Sequence, residues 1–255
     1  MLNLIMWWSG IVLESVILLR ALQQRALRRY PFFYLYVASL LCADGFLYVL
    51  YRINPAVYHT WNWNAGFVNI ILGCGILLEI YKHALPAYPG AERFARISGL
   101  VIFAVLFLSG IAYFIFVPSS PESRMTIARN LERNLLAVQA IFLSTLVGVI
   151  FYYGIAIGKN IWGMIVGYGL CIATMLMTLA VRSFAGPSFD AAWILIQPVS
   201  YWICLFVWMS ALWNYEPNPL PLTAADIARD YESFVSGTRA RVGEMRSNLG
   251  RVARP

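Results

Sequence analysis

Three carboxylates stand inside long apolar runs of this 255-residue chain: Glu14, Asp44 and Glu79. An acid in the middle of a hydrocarbon-embedded helix costs about 2.5 to 3.5 kcal/mol by insertion scales, so each needs a partner, a proton or water. Glu14 falls near the middle of the first run and Asp44 near the middle of the second. In antiparallel neighbours their offsets leave the two acids about 8 Å apart along the axis, at a rise of about 1.5 Å per residue. They are expected to share a polar cavity, directly or through water. Lys82, His83, Lys159 and Arg182 lie near run ends. With no base at that depth, one or both carboxyls are expected to carry a proton. Asn69, Gln139 and Gln197, from the third, fifth and seventh runs, supply neutral hydrogen-bonding groups. The expected ligand-binding or polar-core set is therefore Glu14, Asp44, Asn69, Glu79, Gln139 and Gln197. Its alternative role is to knit the bundle together.

Glu79, Lys82 and His83 are spaced i, i+3 and i, i+4, so they share one helix face, and the spacing predicts a local ion pair at an interface. A proton relay through His83 lacks a second histidine nearby. No catalytic, metal or cofactor constellation emerges. A retinal protein would need a lysine in the seventh run, and residues 191–213 hold none. Intramembrane zinc hydrolases need several histidines, whereas His59 and His83 are the chain's two and are expected on opposite membrane sides. The same separation argues against a haem held by two histidines. Ser109 has no histidine at its depth for rhomboid-like catalysis. Cys42, Cys74, Cys171 and Cys204 all fall within apolar runs, without disulfide or metal spacing, and read as small buried hydrophobes.

The elements that must position these groups follow from composition. Hydrophobic residues make up 60% of the chain and charged ones 12%, against about 45 to 50% and 25% in a soluble domain. The apolar residues cluster in blocks of about twenty, the length that crosses a hydrocarbon core. The fold class is all-α: a polytopic membrane bundle of about seven transmembrane helices with a C-terminal amphipathic helix. The spans are expected at 2–22, 31–51, 63–81, 97–117, 131–157, 161–181 and 191–213, with Pro31 tolerated in a first helical turn. Proline- and glycine-bearing segments at 86–90 and 118–121 separate them. The first run has no basic segment before it and no small-residue cleavage site, so it reads as a retained helix rather than a cleaved signal.

Orientation follows from loop cations. With the amino terminus outside, inner loops hold Arg25, Arg28, Arg29, Lys82, Arg93, Arg96 and Lys159, and outer ones hold Arg52, Arg124, Arg129, Arg133 and Arg182. The tail adds Arg229, Arg239, Arg241, Arg246, Arg251 and Arg254 to the inner side. The expected placement is a multi-pass protein of the plasma (inner) membrane, amino terminus outside and carboxyl terminus cytoplasmic. The net charge of +7 belongs to run ends rather than to one soluble face, so no nucleic-acid partner is expected. Aromatic residues near the boundaries, among them Trp7, Trp8, Tyr30, Tyr58, Trp61, Trp63, Tyr152, Tyr153, Trp213 and Tyr215, read as interfacial anchors. Gly163 and Gly167 have the GxxxG spacing that admits a second helix closely, here within the molecule.

The chain divides into a seven-helix membrane domain, 1–215, and a proline-led linker with a basic amphipathic cytoplasmic tail, 216–255. Pro217, Pro219 and Pro221 break the last run, and Thr223 can cap a new helix whose apolar face carries Ile227, Tyr231, Phe234, Val242, Met245, Leu249 and Val252. Its arginines suit anionic lipid, with a cytoplasmic protein as the other candidate partner. The segments Arg29-Tyr30-Pro31-Phe32-Phe33-Tyr34-Leu35-Tyr36, Glu79-Ile80-Tyr81-Lys82-His83 and Tyr88-Pro89-Gly90 resemble those of a group of uncharacterised bacterial seven-helix membrane proteins. The resemblance covers mostly the first half and implies the same topology, without an activity to carry over. The function expected is a non-enzymatic small-ligand receptor, sensor or scaffold without a cofactor. A small-molecule or proton-coupled transporter is the alternative, weakened by the absence of internal repeats and of proline-broken core helices.

Overall fold

A computed structural model of the chain describes residues 2–85, 89–116, 121–185 and 187–216. Of the linker and amphipathic tail expected at 216–255, all but residue 216 lies outside the described residues. Among the described residues the chain is all-α, with seven helices, one short 3-10 turn and no strand. The helices are α1 (Leu2–Gln23), α2 (Pro31–Ile53), α3 (Pro55–Ala84), α4 (Pro89–Phe116), α5 (Pro121–Tyr153), α6 (Lys159–Ala185) and α7 (Pro187–Leu212), with the 3-10 turn at Ala26–Arg28.

Five of the seven open on proline, at 31, 55, 89, 121 and 187. A first-turn proline lacks only an N–H that would be orphaned anyway, and its fixed φ is already helical. This explains why the helices outrun the spans expected from hydropathy. α3, α4 and α5 begin eight to ten residues earlier than 63, 97 and 131, in polar turns that hydropathy discards. Arg124, Arg129 and Arg133, counted as loop cations, are therefore on α5. At its other end α5 stops at Tyr153 rather than 157, because Gly154 takes a left-handed φ of 58°. Pro198 lies inside α7, which runs through it as one helix from Pro187 to Leu212.

Four helical stretches are long and apolar enough to cross a membrane: Pro31–Ile53, Asn64–Ala84, Arg129–Tyr153 and Lys159–Thr178. Arg96–Ser109 and Ile196–Leu212 are apolar but shorter. Many large apolar side chains face outward, among them Leu19, Leu108, Ile141 and Phe151, each more than half exposed. A surface of this kind belongs to a membrane-embedded protein.

Helix α1 packs on α2 and α7, α2 on α3, α3 on α6, and α6 on α7, which closes a ring of five. α5 fits against α3 and α6, and α4 covers α3 and α5. The ring is filled at one level by aromatic side chains, Phe33 and Tyr36 of α2 edge-on to Trp208 of α7 with centroids 5.2 and 6.1 Å apart. Tyr168 of α6 meets Tyr36 at 6.0 Å. These four side chains are buried. The α6–α7 seam is tight because Gly163 faces Ala211 and Gly167 faces the indole of Trp208, where a Cβ would collide. Of the aromatic residues expected as interfacial anchors, Tyr30 is instead buried, packed on the His83 ring at 5.0 Å.

Candidate functional site

Burial inside the ring selects among the acids. Glu14, midway along α1, has no exposed surface. Its Oε1 accepts a short hydrogen bond from the Tyr201 hydroxyl of α7, while Oε2 is enclosed and has no hydrogen-bond partner among the described residues. Asp44 of α2 is half-buried, makes no hydrogen bond among the described residues, and is near enough for its charge to act on Glu14 and Tyr201. Three elements thus bring two carboxyls and a phenol together. Helix α1 is placed for this by polar ties at both levels: Trp202 Nε1 donates to the Met6 carbonyl, and Arg20 and Gln24 donate to the Trp213 carbonyl.

Tyr201 also lines a cavity of about 220 Å³ between α6 and α7. Its wall carries Gln197, Ser200, Thr174, Thr178, Cys171 and Cys204, with Glu132 contributed by α5. The space is small and, with Met175 in its wall and the Thr174 and Thr178 hydroxyls turned back to carbonyls of α6, its surface is mostly apolar, so it suits a compact molecule with few polar groups. Cys171 of α6 and Cys204 of α7 both line this cavity. They are two of the four cysteines read as buried hydrophobes, and Cys42, another of them, is exposed. Pro198 stands one turn from Tyr201 and has no N–H to give to the carbonyl four residues earlier, which leaves α7 locally weaker beside the cavity.

The other expected site residues are placed elsewhere. Gln139 is buried on α5, donating from Nε2 to the Ile70 carbonyl of α3 at 2.8 Å and accepting from Tyr168 of α6 at 2.8 Å. Gly73 of α3 leaves the room that the Tyr168 hydroxyl occupies. Asn69 accepts from Ser39 Oγ of α2 at 2.9 Å. These two amides join helices and do not reach Glu14. Gln197 is exposed and faces the cavity rather than the acids.

Glu79 has a distinct task. Its carboxylate accepts from the backbone N–H groups of Phe32 and Phe33, at 3.4 and 2.9 Å, and so caps the first turn of α2 from a neighbouring helix. Lys82, expected to pair with it, is exposed and makes no hydrogen bond among the described residues. His83 Nδ1 lies 2.9 Å from the Glu79 carbonyl oxygen. Just before α2, burial pushes the Tyr30 phenol up to about 12, so it stays neutral beside these groups.

Sequence reasoning missed Tyr201, the residue that answers Glu14. Its one signal was depth: a tyrosine away from the expected boundary belt, on a helix able to face an embedded acid. No protein-family model, curated protein or solved structure matches the chain.

Proposed function

We propose that the chain is a seven-crossing protein of the bacterial inner membrane, amino terminus outside and tail cytoplasmic, acting as a non-enzymatic receptor or sensor for a small polar ligand. The reading rests on one observation: Glu14 is wholly enclosed and offers an acceptor, Oε2, that nothing among the described residues satisfies. A buried polar atom without a partner costs about 1 to 3 kcal/mol, more when charged. A ligand bringing an N–H or O–H donor relieves that cost, and Tyr201 and Asp44 are the polar groups that act on Glu14. Small amines and polyols are the ligand classes that fit.

The test is thermal unfolding of the detergent-purified chain against a panel of small amines and polyols. A compound that binds the folded state raises the midpoint by mass action. Stabilisation of the wild type that is lost in Glu14→Gln supports the reading; stabilisation that persists in that variant refutes the Glu14 seat. Labelling of both chain ends in sealed vesicles checks the crossing number, since seven crossings put them on opposite sides.

A transporter is the second reading, and Pro198 beside the α6–α7 cavity favours it, because a helix weakened next to a cavity is a natural place to flex. Flux of the stabilising compound into proteoliposomes decides for transport; binding without flux decides for sensing.

A further inference from the structure

A second cavity, of about 480 Å³, opens at the other end of α2 and α3, where they meet α4. Its rim is basic. Arg28 and Arg29 come from the turn before α2, Lys82 and His83 from the last turn of α3, and Arg96 from the second turn of α4. Its depth is apolar, with Leu78 on α3 and Leu100 on α4. Lys82 to Leu78 and Arg96 to Leu100 are each four residues, so both walls change from cation to hydrocarbon over about 6 Å, one helical turn. Phe32, Ile97, Leu100 and Val101 are about half exposed, which leaves the apolar part open sideways. The one carboxylate in the wall, Glu79, is held by the α2 amides of Phe32 and Phe33, so its charge is partly answered by the helix it caps.

We infer that this groove between α2, α3 and α4 holds an anionic phospholipid, its phosphate on the Arg28, Lys82 and Arg96 rim and an acyl chain against Leu78, Leu100 and Val101. A rim of cations alone would accept any phosphate; the apolar slot one turn deeper and open to the side commits the site to a lipid. The inference rests on the membrane placement proposed above.

The experiment is native mass spectrometry of the full chain released from detergent in the presence of equal amounts of phosphatidylglycerol and phosphatidylcholine, with inorganic phosphate in a separate arm. The expected result is retention of phosphatidylglycerol over phosphatidylcholine by about ten-fold. At up to about five-fold per cation in favourable geometry, the three rim cations set a ceiling well above that value. Arg28→Gln with Lys82→Gln abolishes the preference, Lys82→Arg keeps it, and Arg239→Gln with Arg241→Gln in the tail leaves it unchanged. Equal retention of the two lipids, a preference that survives the double rim variant, or one that is lost in the tail variant overturns the inference. Binding of inorganic phosphate without lipid preference overturns it in favour of a soluble anion. Flotation of the chain with pure phosphatidylcholine vesicles is scored separately: failure there refutes the membrane placement, whereas flotation without lipid preference refutes the groove alone.

Discussion

Glu79 and Glu14 are both buried glutamates on apolar helices, and they sit in opposite circumstances. Both oxygens of Glu79 accept from backbone amides of α2, at a helix start where those N–H groups have no partner of their own. Glu14 has one oxygen on Tyr201 and the other on nothing among the described residues. The difference teaches how to separate architecture from function when both are made of the same residue type. An acid whose acceptors are all answered by the fold holds the fold together; an acid with one left over is available to something else.

The largest effect is expected at Glu79. Glu79→Ala leaves two amides at the start of α2 without acceptors, which costs about 2 to 4 kcal/mol, and the thermal midpoint of the detergent-solubilised protein should fall steeply. Glu79→Gln keeps one carbonyl oxygen and should lose about half as much. A Glu79→Ala protein as stable as the wild type would erase the contrast between the two acids. Next comes the α6–α7 seam beside Glu14's partner helix. Gly167→Leu drives a side chain into Trp208 and should cost about 1 to 3 kcal/mol, while Gly45→Ala, with open space around it, should be neutral or slightly stabilising in the same measurement.

Smaller effects belong to the Glu14 region. Tyr201→Phe removes the one donor to Glu14 among the described residues and should destabilise by about 1 to 2 kcal/mol, read as a shift in chemical-denaturation midpoint. Glu14→Gln retains a carbonyl for the Tyr201 hydroxyl and should cost less than about 1 kcal/mol. If Glu14→Gln proved as damaging as Glu79→Ala, Glu14 would be a structural acid like Glu79, and the distinction would be lost.

The sequence disclosed the helical class and the three embedded acids, because long apolar blocks and isolated charges are one-dimensional signals. It misplaced helix starts, since a first-turn proline such as Pro55 or Pro121 looks like an interruption until the chain beyond it is seen to be helical. It did not disclose what Glu79 does, because its partners are backbone amides, which carry no residue signature. Asn69 and Gln139 were legible as polar groups able to knit the bundle, but not which helices they join: their partners, Ser39 and Tyr168, depend on which helices are neighbours. Tyr201 was hidden for the same reason, nearly two hundred residues from the glutamate it serves.

The glycine contacts of α6 with α7 give the pair unequal stretches. Near Gly163 and Gly167 the two helices are clamped on Ala211 and the Trp208 indole, whereas from Cys171 to Thr178 they part around an open space. Beyond that space α6 ends at Ala185 and α7 begins at Pro187, so the pair is held on both sides of the gap, and a molecule entering it would bow the two helices apart like the sides of an eyelet.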